Sequence, residues 1–388
     1  MRSAELRPLY AAGFVTAFGA HSIAASLGAF THGDSLLTLG LLLAVYDGAE
    51  VVLKPVFGSL ADRIGPRPVL LGGLLAFALA SAAFVVAGDP AAVGLARFGQ
   101  GAAAAAFSPA AGALVARLSP KKRQGRAFGG YGAWKSVGYT LGPLLGGVLI
   151  SLGGFSLLFG TLAGLAFAVG VWAVVVVPSP EPLPRERQTV LDLVRRLAEP
   201  GFLRPTAVLA GTTAALAVGI GFLPVVGAES GLGTVATGAV VSVLALCSAL
   251  VQPWAGRVRD AGRVSDGWGM GGGLLLTGAG LGVGALVPGV VGVVVAAVVV
   301  GVGVGVATPV GFAHLAGVVP EERLGQMMGA AEVGRELGDA GGPLLVGVLA
   351  SAVTLGVGFG GVAVVLVVVG LVVVRGVGSS PGGDIAGR

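Results

Sequence analysis

The chain is written twice. Residues 109–151 recur at 309–351, an offset of two hundred: Pro109, Gly125, Gly129, Gly138, Gly142, Pro143 and Gly147 return as Pro309, Gly325, Gly329, Gly338, Gly342, Pro343 and Gly347. The intervening turn repeats too, with Pro120, Arg123 and Gly125 answering to Pro320, Arg323 and Gly325. An earlier pair, at an offset of 198, sets Pro55, Gly58 and Asp62 against Pro253, Gly256 and Asp260. Self-similarity of this kind marks copies of one structural plan. Any fold for this chain must divide into two related halves.

The solvent comes next. The chain is 55% hydrophobic and 11% charged, against roughly 25% charged in soluble domains. Apolar runs of about 20 residues match a bilayer core of roughly 30 Å. Twelve such runs are present, near 8–30, 35–57, 69–88, 91–117, 127–152, 154–178, 205–227, 233–254, 268–287, 289–317, 325–351 and 354–375. Spanning backbone must satisfy its own hydrogen bonds, so helices are expected; the alternation of a β-barrel strand is missing. The 71 glycines suit close helix packing in lipid. The run 301–306 lacks the ending of a phosphate loop, and the single cysteine, Cys247, cannot form an internal disulfide. The first apolar run is too long for a signal core and reads as helix 1.

Charge sets the topology. Apart from Lys54, Arg97, Lys135 and Arg335, the Lys and Arg residues fall at the termini and in alternate loops. The positive-inside rule then puts both termini in the cytoplasm of a cell (inner) membrane. The positive balance is an orientation signal, with no nucleic-acid partner implied. The expected domains are a six-helix bundle over 1–178, a linker over 179–204, and a second bundle with a short tail over 205–388. Val190, Leu193, Val194 and Leu197 share one face of the linker, opposite Arg187, Arg195 and Arg196; an amphipathic helix on the membrane surface and a passive tether both fit. Parallel halves place a substrate site between them near the midplane.

After helix 2 comes G-S-L-A-D-R-I-G-P-R-P, residues 58–68, in which Gly58, Asp62, Arg63, Gly65 and Arg67 hold the motif positions. It resembles the signature loop of the major facilitator superfamily, with Pro66 in place of a basic residue. Helix 4 carries R-F-G-Q-G, with Arg97, Gln100 and Gly101 similar to that family's second motif. Helix 5 carries Gly129, Gly138, Gly142, Pro143, Gly146 and Gly147, a spacing similar to the motif of its proton-coupled antiporters. The resemblance covers all twelve helices. It implies that Asp62 docks near the start of helix 11 and locks the inner side of an outward-facing state. It also implies that the helix 5 motif shapes the seam against helix 8; plain small-residue packing is the other reading, since helix 11 keeps the pattern.

Charges inside the spans must face the interior, because each costs a few kcal/mol or more at the midplane. Asp47, Glu50 and Lys54 share one face of helix 2, and Glu332, Arg335, Glu336 and Asp339 form a stripe on helix 11. Arg97 and Lys135 complete the set. In the family, helices 2 and 11 face each other, so Asp47 should lie level with Asp339, and Lys54 with Glu332. Glu50–Lys54 and Arg335–Asp339 are natural i,i+4 pairs. Five acids then face four bases, and an unpartnered buried carboxylate takes up a proton. Asp47, then Asp339, are the first candidates for proton carriers, with Glu50 and Glu336 beside them. The competing reading is a set of structural ion pairs. Arg97 either tunes a nearby acid, the role that the family motif implies, or binds an anionic substrate.

In the family, helices 1, 4, 7 and 10 line the cavity. Here they offer Phe14, Phe18, His21, Phe107, Thr212, Thr213, Thr308 and His314. The cavity is expected to be wide and mostly apolar. Two histidines on separate helices make no metal site. The resulting expectation is a monomeric secondary transporter without cofactor, using protons as coupling ion, that exports hydrophobic or amphipathic small molecules. Alternatives are a uniporter, a carrier of a lipid-like molecule, cationic metabolite or metal ion, and a non-transporting receptor. No catalytic motif points to an enzyme.

Overall fold

The computed structural model describes residues 3–30, 36–181, 195 and 197–377. They are almost wholly helical. The spans are α1 (Ser3–Phe30), α2 (Leu36–Ile64), α3 (Pro66–Ala83) and α4 (Pro90–Leu118), then the long run Gln124–Val176. In that run the backbone leaves helical geometry at Gly153 and Gly154, the latter at φ 67°. Its two ends lie together: Gln124 donates to the Ala116 carbonyl, and Arg117, on the same turn, reaches the Glu181 carbonyl. The run is therefore a hairpin of two spans, α5 before the glycine pair and α6 after it. There follow α7 (Pro200–Glu229), α8 (Thr234–Asp260), α9 (Gly273–Leu286, led in by a π-turn Trp268–Gly272), α10 (Gly289–Val318), α11 (Leu324–Ala352) and α12 (Leu355–Val377). Most of the linker helix expected around 190–197 lies outside the described residues; Leu197 packs against the core.

Local chemistry sets the boundaries. Gly65, at φ 95°, turns the chain between α2 and α3, and Pro66 follows at the first helical position. Asp89 caps α4 by accepting from the backbone N–H groups of Ala91 and Ala92 at 2.9 and 3.0 Å. The repeat is visible in the backbone: Pro120 and Pro320 each open a 3-10 turn, Lys121–Arg123 and Glu321–Arg323, that feeds α5 and α11.

Packing repeats as well. In the first bundle α1 lies on α5, and α2 and α3 lie on α4; in the second α7 lies on α11, and α8 and α9 lie on α10. The bundles meet along two seams, α2 on α11 and α5 on α8. Large apolar side chains such as Leu79, Leu95, Phe167, Val175, Val364 and Val372 point outward, as a lipid solvent requires. Eight stretches of the described residues are long and apolar enough to cross a membrane, the α5–α6 run counting as one. α11 is not among them, because Glu332, Arg335, Glu336 and Asp339 interrupt it.

Glycine makes the seams tight. A methyl group on Gly58 would strike the Gly325 carbonyl, and one on Gly256 the Gly125 carbonyl. Gly147 faces no atom within 4 Å. Gly58→Val and Gly256→Val should each lower stability by about 1–3 kcal/mol through overpacking, with Gly147→Val near neutral. Thermal unfolding in detergent checks the ordering.

Candidate functional site

The loops that carry the basic residues define one face of the molecule, here called the basic face. The bundles are locked together there. Asp62, at the end of α2, accepts from the backbone N–H groups of Gly325 and Gln326 at 2.7 and 2.8 Å. Asp260, its repeat partner, accepts from Gly125 and Arg126 at 2.9 and 2.7 Å. Each carboxylate thus meets the N-terminus of a helix in the opposite bundle, where free N–H groups and the helix dipole favour an anion. Phe128 stacks on Phe312 between them, ring centroids 5.5 Å apart. Among the other signature-loop residues, Arg67 donates to the Val174 carbonyl at 2.5 Å and ties α3 to α6; Arg63 is exposed.

Above these docks lies the charged stripe of the α2–α11 seam. Lys54, 1% exposed, reaches Glu50 at 3.0 Å, Glu336 at 2.5 Å and Glu332 at 3.8 Å. Arg335 holds Glu332 at 3.1 Å. Two cations serve three carboxylates. The expected Arg335–Asp339 pair does not form: Arg335 turns one helical turn toward the basic face, where Glu332 is nearly dry, and leaves Asp339 at the open end of the stripe. Asp47 and Asp339 line one cavity and have no cation within 4.0 Å among the described residues. Lys135 and Arg97 line it too, also without a carboxylate partner. Lys135 sits 5.8 Å from the Tyr139 ring centroid, and Arg97 4.5 Å from that of Tyr46.

The α5–α8 seam repeats this arrangement without charge. Lys54, Glu50 and Glu336 correspond to Gln252, Ser248 and Ser136 at the repeat offsets. Gln252 donates to Ser136 at 2.9 Å and to Ser248 at 3.2 Å. The same three-point contact is built from ions on one side and from neutral polar groups on the other.

The cavity is about 290 Å³, and its exposed lining residues Asp47, Ile220 and Asp339 lie on α2, α7 and α11 at a distance along each helix from the basic face. It is lined by Thr16, Ser108, the two tyrosines and the charges just named, besides apolar side chains. This corrects the expectation of a mostly apolar cavity. Of the sequence candidates, His21, Arg97 and Thr213 line it; Phe14, Phe18, Phe107, Thr212, Thr308 and His314 do not. Phe18 and Phe107 are buried inside the first bundle. Phe14 stacks on Phe18 at 5.7 Å, and the Thr212 hydroxyl turns back to the Leu209 carbonyl. His314 lies in the last turns of α10, on the basic face. There its Nδ1 is 2.8 Å from Asp266, which also receives Arg259 at 2.7 and 3.0 Å. Burial pushes the Asp266 carboxyl up, but the His314 and Arg259 hydrogen bonds outweigh it and hold the group well below the usual range.

Other motif residues have packing roles. Gly129 touches Gln252 across the α5–α8 seam, but Gly138, Gly142 and Gly146 pack on Phe14, Phe18, His21 and Ser22 of α1. The helix 5 motif therefore serves mainly the inside of its own bundle, which corrects the expected seam role. Gly338 and Gly342 do the same against Ala210 and Ala214 of α7. Pro143 and Gly147 are exposed. Gly101 admits the Tyr46 backbone, and Gln100 donates to Ser81 of α3 at 3.1 Å. Tyr46, Tyr139 and Gln252 carried no functional expectation in the sequence, and Asp260 stood there only as the repeat partner of Asp62; the same offset of 198 pairs Gln252 with Lys54.

Lys54→Gln would leave Glu50 and Glu336 facing one another without their cation. Loss of one member of a buried pair costs about 3–5 kcal/mol, so the variant should unfold well below the parent. The double change Lys54→Gln with Glu336→Gln should recover part of the loss. Thermal unfolding of the purified proteins checks both.

Comparison with known proteins agrees with this geometry. The family model described as Major Facilitator Superfamily matches residues 9–261 and 207–384. The chain is 31% identical over 111 residues to the quinolone resistance protein NorA of Staphylococcus aureus, 29% of each chain. It is 30% identical over 134 residues to the multidrug resistance protein MdtG of Escherichia coli, covering 34% of this chain and 33% of that one. The matched segments thus span about a third or less of those relatives. In fold, the chain is similar to the E. coli fucose:proton symporter FucP (TM-score 0.81, 14% identity, 96% of this chain and 98% of that one). It is also similar to the human organic anion transporter MFSD10 (TM-score 0.79, 16% identity, 95% and 98%). With the family model covering both repeats, the chain belongs to the major facilitator superfamily, a family of membrane transporters rather than enzymes.

Proposed function

We propose that the protein is a proton-coupled exporter of amphipathic small molecules that works by alternating access. The observation that carries this reading is the pair Asp47 and Asp339. Both are exposed carboxylates of a cavity beyond the docked basic face, and neither has an ion-pair partner among the described residues. The segmental similarity to NorA and MdtG supports the efflux direction. Under the positive-inside rule the basic face is cytoplasmic, so the described state is closed to the cytoplasm and open outward.

In this reading a proton from the outside neutralises Asp339 or Asp47. The cost of enclosing that carboxylate then falls, and the open ends of α2 and α11 can approach. Closure there requires opening at the basic face, where the Asp62 and Asp260 docks give way. With the cavity facing the cytoplasm, a substrate displaces the proton and the carrier returns. The seam cluster around Lys54 is the pivot, since its charges keep partners throughout.

Proteoliposomes with an imposed pH gradient test the scheme, using a panel of lipophilic cations, neutral compounds and anions. The parent should drive uphill flux of at least one compound. Asp339→Asn and Asp47→Asn should cut pH-driven flux by about tenfold or more, while counterflow exchange without a gradient persists. Full pH-driven activity in both variants would remove these carboxylates from the mechanism.

A further inference from the structure

The cavity holds charges of both signs that the protein leaves unmatched. Arg97 of α4 and Lys135 of α5 line it, and so do Asp47 of α2 and Asp339 of α11. None of these four has an oppositely charged partner within 4.0 Å among the described residues. Arg97 is 2% exposed, and its Nη1 is buried without a hydrogen-bond partner. Its Nε makes only a long contact, 3.4 Å, to the Leu42 carbonyl. A buried donor left unmade is costly, and the planar guanidinium fork is suited to a carboxylate. Tyr46 faces Arg97 and Tyr139 faces Lys135, with the His21 ring packed tilted against Tyr139 at 4.4 Å.

We propose that this cavity selects a zwitterionic amphipath, with the substrate carboxylate received by Arg97 and Lys135, its ammonium by Asp47 and Asp339, and an aromatic body against Tyr46 and Tyr139. The proposal rests on the transporter reading above and adds the substrate class. A purely cationic ligand satisfies the two carboxylates but leaves Arg97 and Lys135 unpaired; an anion does the reverse. A neutral hydrocarbon leaves both sets of charges unmatched. A molecule bearing both charges completes four groups at once, and its zero net charge leaves the electrostatic balance of the seam cluster unchanged. The cavity, about 290 Å³, is at the small end of ligand sites, so one compact aromatic molecule fills it.

The test uses three probes with one aryl body: biphenylalanine (both charges), biphenylethylamine (cation) and biphenylpropanoate (anion). Binding to the purified full-length protein is measured by calorimetry. Biphenylalanine should bind about tenfold or more tightly than either singly charged probe. Arg97→Gln should weaken biphenylalanine and biphenylpropanoate and leave biphenylethylamine within about twofold. Asp339→Asn should spare biphenylpropanoate and weaken the other two. Arg97→Lys, which keeps the buried cation, should retain part of the preference and controls for folding. Equal or tighter binding of biphenylethylamine overturns the proposal, as does a uniform loss across the three probes in Arg97→Gln, or no binding of any of them. pH-driven flux of lipophilic cations without zwitterion preference would sink this inference and leave the transporter reading standing. Absence of pH-driven flux for every compound in the panel would sink that reading instead.

Discussion

A charge inside a bilayer must find its opposite or find water. Lys54 finds its opposite three times over, in Glu50, Glu332 and Glu336. That ammonium joins α2 of the first bundle to α11 of the second, and much of the architecture follows from keeping it paired. Gly329 has no side chain because the Lys54 backbone lies against it; Gly58 and Gly325 touch one turn further on. At the end of the same seam, the Asp62 carboxylate seats on the start of α11. The stripe changes character toward the open face. There Asp47 and Asp339 exchange protein partners for the cavity.

The two seams are one contact built twice with different chemistry. Glu50, Lys54 and Glu336 on one side correspond to Ser248, Gln252 and Ser136 on the other, and their hydrogen bonds correspond as well. Neutral hydrogen bonds hold equally well at any pH in the working range. Ionic ones respond to the protonation of their neighbours. A pair of bundles hinged this way has one seam that can be switched and one that serves as its passive counterpart. The asymmetry puts the pH-responsive groups of the proposed coupling on the α2–α11 seam.

Much of this was legible in the residues. The repeat offsets and the twelve apolar runs gave the two-bundle plan, because a bilayer leaves helices little alternative and a duplication must be folded twice. The Asp62 dock was legible through the signature loop, whose family resemblance implied a seat at the start of helix 11. The charges showed only that those faces of α2 and α11 point inward; that the two helices face each other was what the family resemblance implied. Other features depended on rotation and depth, which periodicity does not fix. Phe14, Phe18 and Phe107 sit on faces of α1 and α4 that turn into their own bundle. His314 is too near the end of α10 to reach the midplane. Arg335 chose Glu332 over Asp339, because two acceptors of similar spacing were open to it and only burial decides between them. Gln252 was hidden by being neutral; its meaning appears once its repeat partner is seen to be Lys54.

In the proposed cycle, protonation of Asp47 and Asp339 lets the open ends of α2 and α11 close. Spin labels at Gly48 and Gly341, which face no neighbours, in a Cys247→Ser background report that separation directly. The distance should shorten on acidification, and the response should vanish when Asp47→Asn and Asp339→Asn are combined. A distance indifferent to pH in the parent, or a response that survives in the doubly neutralised protein, would contradict it.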